Sequence, residues 1–148
     1  MTHYGYKTSS YIAYCKAKDF QMVAETLNEE EDFKLIPTVV NASFACELYL
    51  KALIIWQEKI EEPFRKHKFS ELLEMIDSDD RNIIIKSADI FDWGRFIAES
   101  DNAFVEWRYI HENDCFKMIS IGDLLRFADA LKCCYESKHK LKEVFEDE

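Results

Sequence analysis

Glycine and proline are scarce in this chain of 148 residues, which has three of the first and two of the second. Tight turns and hairpins draw on those two residues for their special φ values, so an architecture of many short strands is excluded. Beside 48% hydrophobic residues, the same scarcity predicts a compact all-α protein. Cysteines number five, at 15, 46, 115, 133 and 134, and no C-x-x-C occurs. Neither a disulfide framework nor a zinc site is written in that pattern, and reduced thiols in a cytoplasmic protein are expected. The opening MTHYGYKTSS has no apolar h-region, so a signal peptide is not expected.

Positive charge is also short: 19 Lys and Arg stand against 29 Asp and Glu, a net charge of −10. Such a balance repels a polyanion at long range and leaves nucleic-acid binding to a local basic patch. There is no Gly-rich phosphate loop, no G-x-S-x-G, no H-E-x-x-H and no carboxylate set with metal spacing. No cofactor and no metal are expected. Without repeats, low-complexity tracts or a linker, residues 1–148 read as a single domain, with 1–9 as a loose N-terminal arm.

The most distinctive stretch runs from Pro37 to Trp56, PTVVNASFACELYLKALIIW, whose only charges are Glu47 and Lys51. Val40, Phe44, Leu48 and Ala52 form a helical stripe, and Val39, Ala45, Leu50, Leu53 and Ile54 fill most of the remaining circumference. A helix apolar nearly all round is a buried one, about which the others pack. Phe44, Leu48 and Ala52 are expected to be almost fully buried. The polar Asn41, Ser43, Glu47 and Lys51 argue against a membrane span. Glu47 precedes Lys51 by four, the favourable order for an ion pair. That pair fits either the solvated edge of the helix or a face turned to a dimer partner or cleft.

The other helices follow from caps and periodicity. Ser9 or Ser10 can cap a first helix with Ile12, Cys15, Phe20, Val23 and Leu27 on its core face. The acidic run Glu29–Asp32 ends it, and Pro37 suits the first turn of the next helix. After the basic cluster Arg65-Lys66-His67-Lys68, a short helix places Phe69, Leu72, Leu73 and Ile76 inward. Asp77–Asp80 forms a turn with capping side chains, and 81–86 reads as helix for want of a partner strand. Residues 88–112 are helical, bent or interrupted near Gly94 or at Ser100-Asp101. Ser120-Ile121-Gly122-Asp123 matches the S-x-x-D capping pattern and opens a last helix carrying Leu124, Phe127, Ala128, Leu131 and Cys134 inward. Four to five helices in an up-and-down bundle are the economical arrangement.

Chemistry gathers in two places. On a continuous helix, Asp101, Phe104, Arg108 and His111 would share one stripe. An arginine beside a histidine suits metal-free phosphodiester cleavage, the imidazole moving protons and the guanidinium steadying phosphate charge. The alternative is that Arg108 pairs with a carboxylate such as Glu112 and His111 packs at an edge. In the basic cluster, His67 with Arg65, Lys66 and Lys68 can hold phosphate, or His67 can hydrogen-bond the helix that follows. His3 and His139 are expected to face solvent, and of the pair Cys133 and Cys134 one is expected to face the core.

Taken in order, three segments resemble HEPN domains over roughly residues 10–145. They are Glu47-Leu48-Tyr49-Leu50-Lys51-Ala52-Leu53, His67-Lys68-Phe69 leading to Leu72-Leu73, and Trp107-Arg108-Tyr109-Ile110-His111-Glu112. The resemblance implies a helical bundle that forms a homodimer, often in toxin–antitoxin or antiviral defence, with a nucleotidyltransferase or antitoxin as partner protein. In active members an arginine and a histidine of the late helix meet their symmetry mates and cut RNA without metal. Arg108 matches that arginine and His111 can match the histidine. Active members place four to six residues between the two, whereas only Tyr109 and Ile110 intervene here, and Tyr109 replaces a polar residue. The segment is similar to the arginine–aromatic variant of HEPN-like bundles. Two expectations follow. The first is a non-catalytic dimeric module binding a protein, nucleotide or RNA through Arg65, Lys66, His67, Lys68, Glu47, Lys51 and Tyr109. The second is a metal-independent ribonuclease using Arg108 and His111.

Overall fold

The computed structural model describes residues 5–58, 65–109 and 119–146, with side chains to residue 138. Seven helices lie within them and no strand: α1 (Gly5–Glu29), α2 (Leu35–Glu58), α3 (Phe69–Glu74), α4 (Ser78–Ala88), α5 (Trp93–Ser100), α6 (Ala103–Arg108) and α7 (Ile121–Glu146). Three are long and four are short, against the four or five helices that periodicity suggested. The run at 81–86 is helical, inside α4. The helical region read over 88–112 is interrupted at 101–102, beside the Ser100-Asp101 break expected there, and a further turn at 89–92 separates it from α4.

Helix α2 is the centre, packed against α1, α3, α6 and α7. Cys46, Tyr49, Leu50, Leu53, Ile54 and Ile55 are all buried. Its apolar window is long enough to cross a membrane, but 78% of that window is buried inside the protein, as in a core helix. Thr38 and Asn41 donate to the carbonyls of Lys34 and Pro37 one turn back, so their polar groups are met within the helix.

Contacts fix the helix directions. Ser10 donates to the carbonyl of Ala52 and Phe20 meets Phe44, so α1 runs antiparallel to α2. Cys46 reaches the carbonyl of Leu124 and Trp56 meets Tyr135, so α7 runs parallel to α2. Phe69, Trp93 and Phe96 meet Phe127 edge-on, at 5.5, 5.4 and 5.6 Å between ring centres, and tie α3 and α5 to α7.

Several expected faces are met. Phe69, Leu72, Leu73 and Ile76 are buried, as are Leu124, Phe127, Ala128, Leu131 and Cys134, while Cys133 is exposed. Ser120 Oγ accepts from the Asp123 amide at 3.2 Å and caps α7, and Asp77 caps α4 through the Asp79 amide. Two faces need correction. In α1 the buried residues are Ser10, Tyr14, Ala17, Gln21 and Ala24, and Ile12 and Val23 are exposed. Ser9 and Ser10 lie inside this helix rather than at its cap. In α2, Ala52 is fully buried, but Phe44 and Leu48 are half-buried on the outer seam.

Candidate functional site

The charged pair of α2 is not at a solvated edge. Glu47 is 3% exposed and Lys51 8%, with Lys51 Nζ 3.1 Å from Glu47 Oε2. A pair taken out of water holds only if its geometry repays the lost hydration. A third group completes it, since His67 Nδ1 lies 3.3 Å from Glu47 Oε2 and 3.3 Å from Lys51 Nζ. Unprotonated, Nδ1 accepts from the lysine; protonated, it donates to the carboxylate. The imidazole is about half exposed, so the cluster joins the core of α2 to the surface. His67 therefore bonds back to α2 rather than forward to α3.

The segment around His67 is held at a second point. Lys68 precedes α3 in extended conformation and offers no side-chain cap. Asp101 supplies the cap, accepting from the Ser70 amide at 2.7 Å and from Ser70 Oγ at 2.6 Å. The loop 65–68 is thus tied to α2 at one end and to the α5–α6 turn at the other. Arg65, Lys66 and Lys68 are exposed upon it. A fixed backbone bearing three cations and an imidazole can receive a phosphate or carboxylate group.

Arg108 stands elsewhere. Its guanidinium lies 4.6 Å above the Phe104 ring and 5.0 Å from that of Tyr109, and Nη2 donates to the Tyr109 hydroxyl at 3.2 Å. Phe104 stacks on Phe44 at 4.4 Å, and Phe44 meets Phe20 at 4.7 Å. The arginine therefore caps a column of three phenylalanines drawn from α6, α2 and α1. Arg108 and Tyr109 are both exposed. The expected stripe is divided, because Asp101 lies in the break at 101–102 and is engaged by Ser70. His111 lies outside the described residues, as do Glu112 and Cys115.

The structure thus brings together Glu47, Lys51 and His67, with Arg65, Lys66 and Lys68 on the same loop, and leaves Arg108 and Tyr109 in a separate aromatic patch. Phe44 is three residues before Glu47, so the two neighbourhoods are about one helical turn apart along α2. Among the described residues no group of three or more His, Cys, Asp or Glu could hold a metal ion. The meeting of His67 with Glu47 has no signal in local spacing, since a loop between helices brings it back. The polar bonds of α1 were also missed. Gln21 receives a bond from Tyr49 at 2.6 Å and gives one to Asp129 at 2.7 Å. No family model matches the chain, and neither does any curated protein or solved structure.

Proposed function

We propose that this protein is a HEPN-like, homodimeric helical module of the cytoplasm that binds a phosphate-bearing partner, RNA or a nucleotide, without cutting it. The observation that carries the reading is the anchoring of the basic loop 65–68 through His67 to the buried Glu47–Lys51 pair. Anchoring matters because the loop backbone is already ordered in folding, which leaves only side-chain freedom to be lost on binding. The state of Arg108 supports the absence of cleavage, since its guanidinium is engaged by two rings and a hydroxyl. The resemblance adds a defence or toxin–antitoxin setting, with a nucleotidyltransferase or antitoxin as partner protein.

Dimerisation is supported by an apolar surface crossing three helices. Ile36, Val40 and Phe44 line one seam of α2, with the exposed Val23 of α1, Val105 of α6 and Tyr109 just after it. Trp107 is 2% exposed and belongs to the core rather than to this surface.

One observation favours the ribonuclease reading: Arg108 is exposed and pairs with no carboxylate among the described residues. The two readings separate in one assay, with a mixed-sequence single-stranded RNA incubated in EDTA and followed for binding and for integrity. The binding module retains the RNA intact, in the parent protein and in Arg108→Ala alike. Cleavage by the parent that falls by about 10²- to 10³-fold in Arg108→Ala establishes the ribonuclease instead.

A further inference from the structure

Ile12, Ala13 and Lys16 of α1 face Leu48, Lys51 and Ile55 of α2 across a cleft of about 220 Å³. The cleft opens to solvent on the side of Ile12 and Lys16, so a small ligand can enter it. Apart from Ser9 and the two lysines, its walls are aliphatic. Ile12 is 51% exposed, Leu48 is half-buried and Ile55 forms a buried floor. The ionisable groups lining it are both lysines, and no carboxylate is among the lining residues.

The two lysines differ in what they offer. Lys51 is buried, with its charge matched by Glu47, and two of its three N–H groups are accounted for by Glu47 Oε2 and His67 Nδ1. The third N–H has no bond among the described residues, and Lys51 lines the cleft. Lys16 is exposed and forms no ion pair among the described residues, so it supplies net positive charge within a chain of net charge −10. A largely aliphatic cleft lined by one neutralised ammonium and one cation outside any ion pair among the described residues matches an alkyl chain with an anionic head.

We propose that the α1–α2 cleft binds a small aliphatic anion, its chain between Ile12 and Leu48 and its carboxylate or phosphate at Lys16 and the spare N–H of Lys51. A nucleobase fits these walls poorly, because they provide no aromatic ring to stack on and no side-chain amide to read a base edge. The cleft shares Lys51 with the anchor of loop 65–68 but takes a different ligand, and it stands whether or not RNA binds that loop.

The test is methyl NMR of the whole protein titrated with octanoate, octyl phosphate, octanol and octylammonium. The two anions are expected to shift the methyls of Ile12, Leu48 and Ile55 at submillimolar concentration, octanol more weakly, and octylammonium not at all. Whichever anion binds more tightly tells a free carboxylate from a phosphate ester as the source of the head group. Lys16→Glu and Ile12→Asn, both at exposed positions, are each expected to weaken octanoate about tenfold, the equivalent of about 1.4 kcal/mol. The proposal is overturned if neither anion shifts those methyls at millimolar concentration. Equal shifts from octylammonium, or an affinity unchanged in both variants, also overturn it.

Discussion

Lysine at position 51 sits where a lysine is rarely tolerated, 8% exposed within the central helix. Glu47 makes that possible, so removing either charge alone strands the other. Glu47→Gln or Lys51→Met is expected to cost about 3–5 kcal/mol, whereas replacing both by leucine and methionine costs far less. Urea denaturation of the two single variants and the double variant measures this; a double-variant loss equal to the sum of the two single losses would show that the pair is not coupled. A second residue-level expectation concerns alkali. Burial pushes the Cys134 thiol up to about 11, with the Asp80 carboxylate adding to the effect and the Lys138 ammonium opposing it. Burial also raises Cys46, Tyr14, Tyr49 and Tyr135. The folded state holds these protons after the unfolded chain has released them. Stability is therefore full below the ordinary thiol value of 9.0 and falls as pH rises through about 11. Melting temperatures that stay level across that window would contradict the assignment.

At the scale of elements, α1 is the instructive case. It lies along α2 through Ala17 and Ala24, both fully buried, and small residues allow that close approach. Ala17→Leu is expected to destabilise by about 1–3 kcal/mol through overpacking. Val23→Ser, on the outer face, should stay within about 0.5 kcal/mol in the monomer. Comparing their denaturation midpoints checks the orientation of the helix; the reverse order would restore the face read from periodicity. That reading followed bulk, assigning Ile12 and Val23 inward. The true face is built from small and polar groups, with Ser10 meeting Ala52 and Tyr135, and Gln21 bridging Tyr49 and Asp129. No hydrophobic pattern carries such bonds, because each depends on a residue tens of positions away. Helices α3 and α7 were legible for the opposite reason: a single stripe of large apolar residues faces a single core. For α2 the burial could be read from its all-round apolarity, but that same uniformity hid which edge is the outer seam. Leu48, on that seam, should lose less on truncation to alanine than the 2–5 kcal/mol of a fully buried leucine. The candidate site divides likewise. Its residue types were legible one by one, yet only the fold joins His67 to Glu47 and parts Asp101 from Arg108.

The whole molecule combines net charge −10 with one fixed basic loop and one apolar seam. If the seam is a dimer face, light scattering at micromolar concentration gives twice the chain mass of 17.6 kDa. Val105→Glu, at an exposed position of α6, then returns the protein to the monomer without lowering its helix content. A parent protein of single mass would remove the dimer. The central claim, that loop 65–68 takes up the phosphates of a nucleic-acid partner, rests on charge and is tested through salt. The affinity for a single-stranded RNA is measured from low to moderate salt for the parent and for Lys66→Glu combined with Lys68→Glu. Each phosphate neutralised on a single strand adds about 0.7 to the slope of log affinity against log salt. The double variant is therefore predicted to bind more weakly, with a slope smaller by about one to one and a half. RNA binding absent in the parent, or a slope unchanged in the variant, would contradict the claim.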